Sequence, residues 1–224
     1  AVPWHLLKNL PLAEQKIIML EPRRLAARSI AQYLANQLQE PLGQSVGYRI
    51  RNESKVSAQT RLQIVTEGVL TSMIQQDPAL SDIGLLIFDE FHERSLHADL
   101  GLSLSKEVQT AYHPELKILV MSATMNTQEV SQFLDQAPVI KAPGRQFAVT
   151  THYLDKPVKI SHWRDYLPRL TQLVITASRE TMRANGGDIL VFLPGKLEIR
   201  QLTQALQVQL SEQDFSVLPL YSGL

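Results

Sequence analysis

Two adjacent carboxylates and a histidine stand at the end of an apolar run, Leu85-Leu86-Ile87-Phe88-Asp89-Glu90-Phe91-His92-Glu93-Arg94. Consecutive apolar residues of this kind read as a strand buried on both faces, as in a parallel sheet. Ligands of open α/β sheets bind beyond the carboxyl ends of the strands. Asp89 and Glu90 therefore fall where acids are useful. Neighbouring acids there suit two tasks. One is holding Mg²⁺, directly or through water; the other is orienting or deprotonating an attacking water. Taken alone, the same pair fits a helix cap equally well, because acids are common at helix starts.

Polar clusters close several other apolar runs. Residues 17–20 lead into Glu21-Pro22-Arg23-Arg24, and Leu62–Val65 into Thr66-Glu67-Gly68. Lys117–Met121 leads into Ser122-Ala123-Thr124, and Ile189–Leu193 into Pro194-Gly195. Parallel strands put these ends on one edge, so the clusters converge on one crevice. Singly, each has an ordinary explanation. Hydroxyls and glycines at helix starts are caps, and arginines on a helix line a solvated face.

Helical periodicity follows most of the clusters. Ala27, Ile30, Ala31, Leu34 and Leu38 share one face, with Pro22 fit for the first turn and Pro41 and Gly43 as stops. Thr66 is a cap for a helix bearing Val69, Leu70, Met73 and Ile74. Leu100, Leu102, Leu104 and Val108 suggest another helix, and Asn126 with Glu129 resembles a capping box. Residues 163–183 are helical in pattern, with Pro168 starting or kinking the helix, and Ile199, Leu202, Leu206 and Leu210 mark a last one. Residues 46–51 alternate like a half-exposed strand with Arg49 and Arg51 on one face. Residues 139–140, 147–154 and 217–220 read as extended. Strand and helix alternate throughout, which predicts an α/β fold with a mostly parallel, doubly wound sheet. The break at Ala142-Pro143-Gly144-Arg145 is the candidate hinge, dividing the chain into 1–144 and 145–224.

Composition narrows the field. The chain is 44% hydrophobic and 20% charged, ordinary for a globular protein. Its 22 basic and 22 acidic residues cancel, so a nucleic-acid contact must be local. Without cysteine there is no disulfide, thiolate metal site or cysteine nucleophile. No apolar run approaches the ~18 residues of a membrane span, and no signal peptide opens the chain. The expected location is cytoplasmic.

The clusters resemble those of a known family. Asp89-Glu90-Phe91-His92-Glu93-Arg94-Ser95-Leu96 looks like motif II of the DEAH-box superfamily 2 helicases, Ser122-Ala123-Thr124 is identical to their motif III, and Glu21–Ala27 matches motif Ia. Val46–Arg51 and Thr66-Glu67-Gly68 match further stretches of the first RecA-like domain. Ile189–Gly195 looks like motif IV, opening the second. Phe91 stands where alanine is usual, a variant similar to the bacterial HrpB-type branch. The motifs stand in the family's order along nearly the whole chain.

The resemblance implies roles. Asp89 binds the Mg²⁺ of ATP, mostly through water; Glu90 polarises the attacking water; His92 links the nucleotide site to the second domain. Ser122, Ala123 and Thr124 couple nucleotide state to closure. Arg23, Arg24, Thr66 and Gly68, with Arg49 or Arg51 in addition, hold a nucleic-acid backbone. Pro194 and Gly195 approach the same strand. The partner is RNA in preference to DNA, gripped without base readout, since arginines and helix N-termini hold phosphates.

The departures matter as much. No Gly-x-x-x-x-Gly-Lys-[Ser/Thr] loop occurs among the ten glycines. By resemblance that loop belongs just before Ala1, and motifs V and VI, with the arginine finger, beyond Leu224. The chain reads as a piece of a longer product. An arginine finger alone is worth ~10³-fold or more in turnover, so the piece by itself is expected to be nearly or wholly inactive. Three other readings compete. A metal-dependent hydrolase would draw on Asp89, Glu90, His92, Glu93, His97 and Asp99, but His92 and His97 lack the spacing of three or four that stacks ligands on a helix face. A non-enzymatic nucleic-acid-binding fragment is the second. An ATPase motor with a different track is the third.

Overall fold

The computed structural model describes residues 2–9, 12, 15–123, 127–142, 144, 147–154, 163–183, 186–210 and 215–221. The chain divides into two compact units, Ala1–Pro143 and Gly144–Leu224.

The first unit is a six-stranded sheet between helices. Its elements in order are α1 (Val2–Asn9), β1 (Lys16–Leu20), α2 (Arg24–Gln37), β2 (Val46–Ile50), β3 (Glu53–Lys55), β4 (Leu62–Val65), α3 (Glu67–Gln76), β5 (Ile83–Phe88), α4 (Leu96–Ala111), β6 (Lys117–Val120) and α5 (Thr127–Phe133). The strands lie in the order β3-β2-β4-β1-β5-β6. All neighbouring pairs are parallel except β2 with β3, which form an antiparallel hairpin.

The apolar runs explain the central strands. Ile17 and Met19 of β1, Leu62 and Ile64 of β4, and Leu85 and Ile87 of β5 point into one core with Ala27, Ala31 and Leu34 of α2. Ile18, Leu20, Val65, Leu86 and Phe88 point into the other, with Leu70 of α3 and Leu102 of α4. A strand that feeds both cores cannot alternate in polarity. Gly101 of α4 lies over this second face, but packing does not require glycine there. A methyl group there would only touch Leu70 and Phe88, at 3.5 Å.

Several expectations need correction. β2 is not half-exposed, because β3 pairs its outer edge and α2 packs against Val46, Tyr48 and Ile50; of its residues only Arg49 is partly exposed. Gly47 belongs to that hairpin crossing, where a Cβ would come 2.2 Å from the Lys55 carbonyl oxygen. The apolar run Lys117–Met121 predicts a buried strand for β6. It is the sheet's edge, and its residues remain partly exposed. Pro22 lies before the helix, whose N-cap is Arg23, and α2 ends at Gln37, ahead of Pro41, through Gln39 at φ 57°. Neither α1 nor β3 was anticipated. Asn126, Pro143 and Arg145 lie outside the described residues.

The second unit contains α6 (Trp163–Arg183) and α7 (Lys196–Gln209). Leu170, Val174 and Ile175 pack on Leu202 and Leu206, with Val191, Leu193 and Val217 against them. Pro168 lies inside α6 and does not begin it. The strands expected at 147–154, 189–193 and 217–220 carry no ladder among the described residues, nor do 139–140. Apolar residues alone do not make a strand; its backbone donors and acceptors need partners.

Candidate functional site

Parallel pairing sets the site. Leu20 pairs with Val65 and Phe88, Phe88 with Val120, and Val65 with Arg49, so these strands end on one rim. The ladder runs one residue further. Glu21 N–H donates to Val65 O (2.9 Å), Asp89 N–H to Leu20 O (3.1 Å), Met121 N–H to Phe88 O (2.8 Å) and Thr66 N–H to Arg49 O (3.3 Å). Glu21, Thr66, Asp89 and Met121 are thus held side by side by backbone hydrogen bonds, with Arg23, Glu90 and Ser122 one or two residues on.

The acids are crowded. Asp89 Oδ1 accepts the Glu90 N–H at 2.9 Å. Burial raises the Asp89 carboxyl above the usual range, the Glu90 N–H opposes this, and the Glu90 charge adds to it. Glu21 is only 3% exposed and accepts the Arg23 N–H at 3.2 Å. Burial raises its carboxyl too, against the Arg23 N–H and with help from the charges of Asp89 and Glu90. Glu21 and Asp89 are desolvated and the more exposed Glu90 repels both, a charge pattern that a cation beside Asp89 would offset.

A tight turn shapes the rest of this motif. Glu90 (φ 50°) and Arg94 (φ 49°) are both left-handed, on either side of a single 3₁₀ turn, Phe91–Glu93. Non-glycine residues held in that region cost energy and cluster at functional sites. Phe91 anchors the turn. It is 3% exposed, meets Phe88 edge-on at 6.2 Å, and lies under the Arg94 guanidinium at 5.6 Å. Its N–H donates to Met121 O at 3.1 Å, tying the turn to the strand end before Ser122. His92 Nδ1 lies 3.3 Å from Glu90 Oε2, near enough for an ion pair if the ring is protonated. No hydrogen bond forms there, and Nδ1 is buried without a hydrogen-bond partner. The Ser122 hydroxyl is likewise buried without one. Ala123 is exposed, and Thr124 lies outside the described residues.

The cationic groups line the same rim. Arg23 N-caps α2 and its guanidinium pairs with Glu93. Arg24 opens α2 and donates to the Arg51 carbonyl at 3.1 Å. Arg28 pairs with Glu53, which also accepts the Tyr48 hydroxyl. Arg49 is half-buried, with Nε hidden and unpartnered. Thr66 N-caps α3 in an extended conformation, but its side chain accepts no N–H. The N-terminal N–H groups of α3 therefore lack the side-chain cap that helices commonly carry. A Cβ at Gly68 would meet nothing within 4 Å, so packing does not require glycine there. Pro194 and Gly195 belong to the second unit, where Gly195 N-caps α7.

The sequence assigns Glu21 no task, and Glu93 only a ligand's place in the metal-hydrolase alternative. Glu21 carries the same signal as Asp89, an acid directly after a buried run. Glu67 was also passed over; it accepts the hydroxyl of Ser95, the N-cap of α4, at 2.7 Å. Among the described residues, no three His, Asp or Glu side chains are grouped to hold a metal ion by themselves. The metal-hydrolase alternative thus finds no ligand set there.

The model of the family "DEAD/DEAH box helicase" matches residues 3–133. The chain is 46% identical over 223 residues to the ATP-dependent RNA helicase HrpB of Escherichia coli, covering all of this chain and 26% of that protein. It is 36% identical over 204 residues to the E. coli ATP-dependent RNA helicase HrpA, covering 91% of this chain and 15% of that protein. The crystal structure of the E. coli DExH-box NTPase HrpB superposes with a TM-score of 0.79 at 46% identity, over 100% of this chain and 26% of that one. A second E. coli HrpB crystal structure, described as a DEAH/RHA helicase, gives a TM-score of 0.76 at 47% identity, over 89% of this chain and 24% of that one. The chain spans about a quarter of the length of the HrpB it matches. With its acid pair, serine and arginines on one parallel rim of a RecA-like sheet, this chain belongs to the DEAD/DEAH box helicase family.

Proposed function

We propose that this chain is the part of an ATP-dependent RNA helicase that carries the acid pair and much of the nucleic-acid grip. Residues 1–144 would be the first RecA-like domain and residues 145–224 the start of the second, in a cytoplasmic protein. The observation that carries the reading is the shared rim. Glu21, Asp89, Thr66 and Met121 extend adjacent parallel strands there, and each donates its backbone N–H to a residue of the neighbouring strand.

Asp89 fits a Mg²⁺ contact because a cation would relieve the burial and repulsion that raise its carboxyl. The lack of a complete ligand set among the described residues suits Mg²⁺, which keeps several waters and takes phosphate oxygens as ligands. When bound with ATP, the ion supplies charge neutralisation at the phosphate oxygens. Glu90, in its fixed left-handed conformation, would orient the attacking water, with His92 as the link toward the second domain. Ser122, Ala123 and Thr124 would couple the nucleotide to closure. Arg23, Arg24, Arg49, Thr66 and Gly68, with Pro194 and Gly195, would contact the RNA backbone independently of sequence.

The test is ATP turnover by this chain with and without RNA, beside binding of single-stranded RNA at graded salt. Salt-dependent binding with little or no turnover is expected. Robust turnover by the chain alone would refute the assignment of essential groups to other segments. Absence of RNA binding would refute the role of the arginine rim. A non-enzymatic binding fragment remains the second reading. An RNA affinity that ATP leaves unchanged favours it.

A further inference from the structure

Arg23 and Glu93 meet across the boundary between the two halves of the rim. Arg23 belongs to the cationic half, at the N-cap of α2, and Glu93 to the turn that carries Glu90. Two carboxylates hold Arg23 at once: Glu21 accepts its backbone N–H, and Glu93 takes its guanidinium. The Arg23 side chain is nevertheless 71% exposed, so a phosphate from solvent can reach the same group. Glu93 cannot follow freely. Its N–H donates to Glu90 O at 2.9 Å, and the turn is pinned through Phe91 to Phe88 and Met121.

We infer that Glu93 is a positioning residue that holds Arg23 in the absence of nucleic acid and yields it to a backbone phosphate. Arginine–carboxylate and arginine–phosphate pairs use the same donor fork, so the two partners compete for one group. Binding of a phosphate releases Glu93 from Arg23. The inference rests on the proposed nucleic-acid role of Arg23 and adds the identity of its competitor. Among the described residues, no other basic residue of the rim has this position. Arg28 pairs with Glu53 of the β3 hairpin, and Arg94 pairs with Asp99 inside its own segment.

The experiment measures affinity for a fluorescein-labelled single-stranded oligo(U) at several salt concentrations, using the chain, Glu93→Gln, Glu93→Asp, Arg23→Ala and the double variant Arg23→Ala/Glu93→Gln. Exposed ion pairs are weak, so Glu93→Gln should tighten binding only about two- to fivefold at low salt. It should also steepen the logarithmic salt slope by up to about one, because no freed carboxylate is left at 93 to take up a cation on binding. Glu93→Asp keeps the charge but shortens the reach, and should tighten binding in the same direction. In the Arg23→Ala background Glu93→Gln should change nothing. Equal tightening with and without Arg23 would show a general charge effect and overturn the inference. So would unchanged affinity in both Glu93 variants. If the unaltered chain binds no RNA, the proposed function falls and the inference falls with it; the other failures leave that function standing.

Discussion

Two apolar runs of nearly the same composition have different fates. Ile83–Phe88 is buried at every residue and pairs with β1 on one edge and β6 on the other. Ile189–Leu193 has no ladder among the described residues, and Leu190 and Phe192 are 67% and 86% exposed. Both runs end in a cluster matching a helicase motif. Among the described residues, only the first has strands on both sides to take its hydrogen bonds and helices over both faces. An apolar run specifies that a segment can be buried; its neighbours decide whether it is.

The comparison breaks most sharply at one phenylalanine in each run. Phe88→Ala should cost about 3–5 kcal/mol, since it empties a site packed against Phe91, α3 and α4. Phe192→Ala should stay within about 0.5 kcal/mol. Urea unfolding can follow each unit separately, because the two tryptophans, Trp4 and Trp163, pack against the cores of different units. Trp163→Phe leaves Trp4 to report the first unit. Similar losses at both phenylalanines would show that the second run is as well enclosed as the first.

A smaller effect tests how the sheet is closed at its other end. Gly47→Ala sets a methyl group against the Lys55 backbone and should cost about 1–3 kcal/mol. Gly101→Ala meets only ordinary contacts and should be neutral or stabilising by up to about 1 kcal/mol, as alanine is the better helix former. Reversal of this order would contradict the hairpin geometry.

Smaller again is the pH dependence of the rim. Glu21 and Asp89 have folded-state pKa values raised above their unfolded ones. Such groups favour the folded state below the unfolded carboxylate pKa, ~4. That contribution is lost as pH rises from there through the raised value. At neutral pH both acids therefore weaken the first unit when no cation is present. Glu21→Gln can keep its acceptor for the Arg23 N–H while removing the charge. It should raise the urea midpoint at pH 7 and reduce the fall in stability above pH ~4. An unchanged profile would mean that Glu21 is already well compensated. The smallest effect is on binding. Arg24→Ala should weaken RNA affinity about equally for all sequences and lower the salt slope by ~1. A loss confined to one sequence would point to base readout instead.

Legibility in the sequence followed how local each signal was. The central strands, α2, α3, α4, α6 and α7, and the acids and hydroxyls at the strand ends were visible, because burial on two faces and helical periodicity leave marks within a few residues. The hairpin partner β3 was not visible: Glu53-Ser54-Lys55 is polar and joins the sheet only because β2 offers an edge. The exposure of β6 depends on its place in the strand order, which its own residues do not encode. Glu93 needed coordinates as well, since its partner Arg23 lies 70 positions earlier in the chain.

What the sequence determined by itself was the alternation of strands and helices, the parallel sheet and the family, all written in short-range patterns and contiguous motifs. The tertiary structure decided which runs became strands, which carboxylates crowd together, and which arginine is held by which acid. Those outcomes depend on hydrogen-bond partners and charges brought together from distant segments, and no local window contains them.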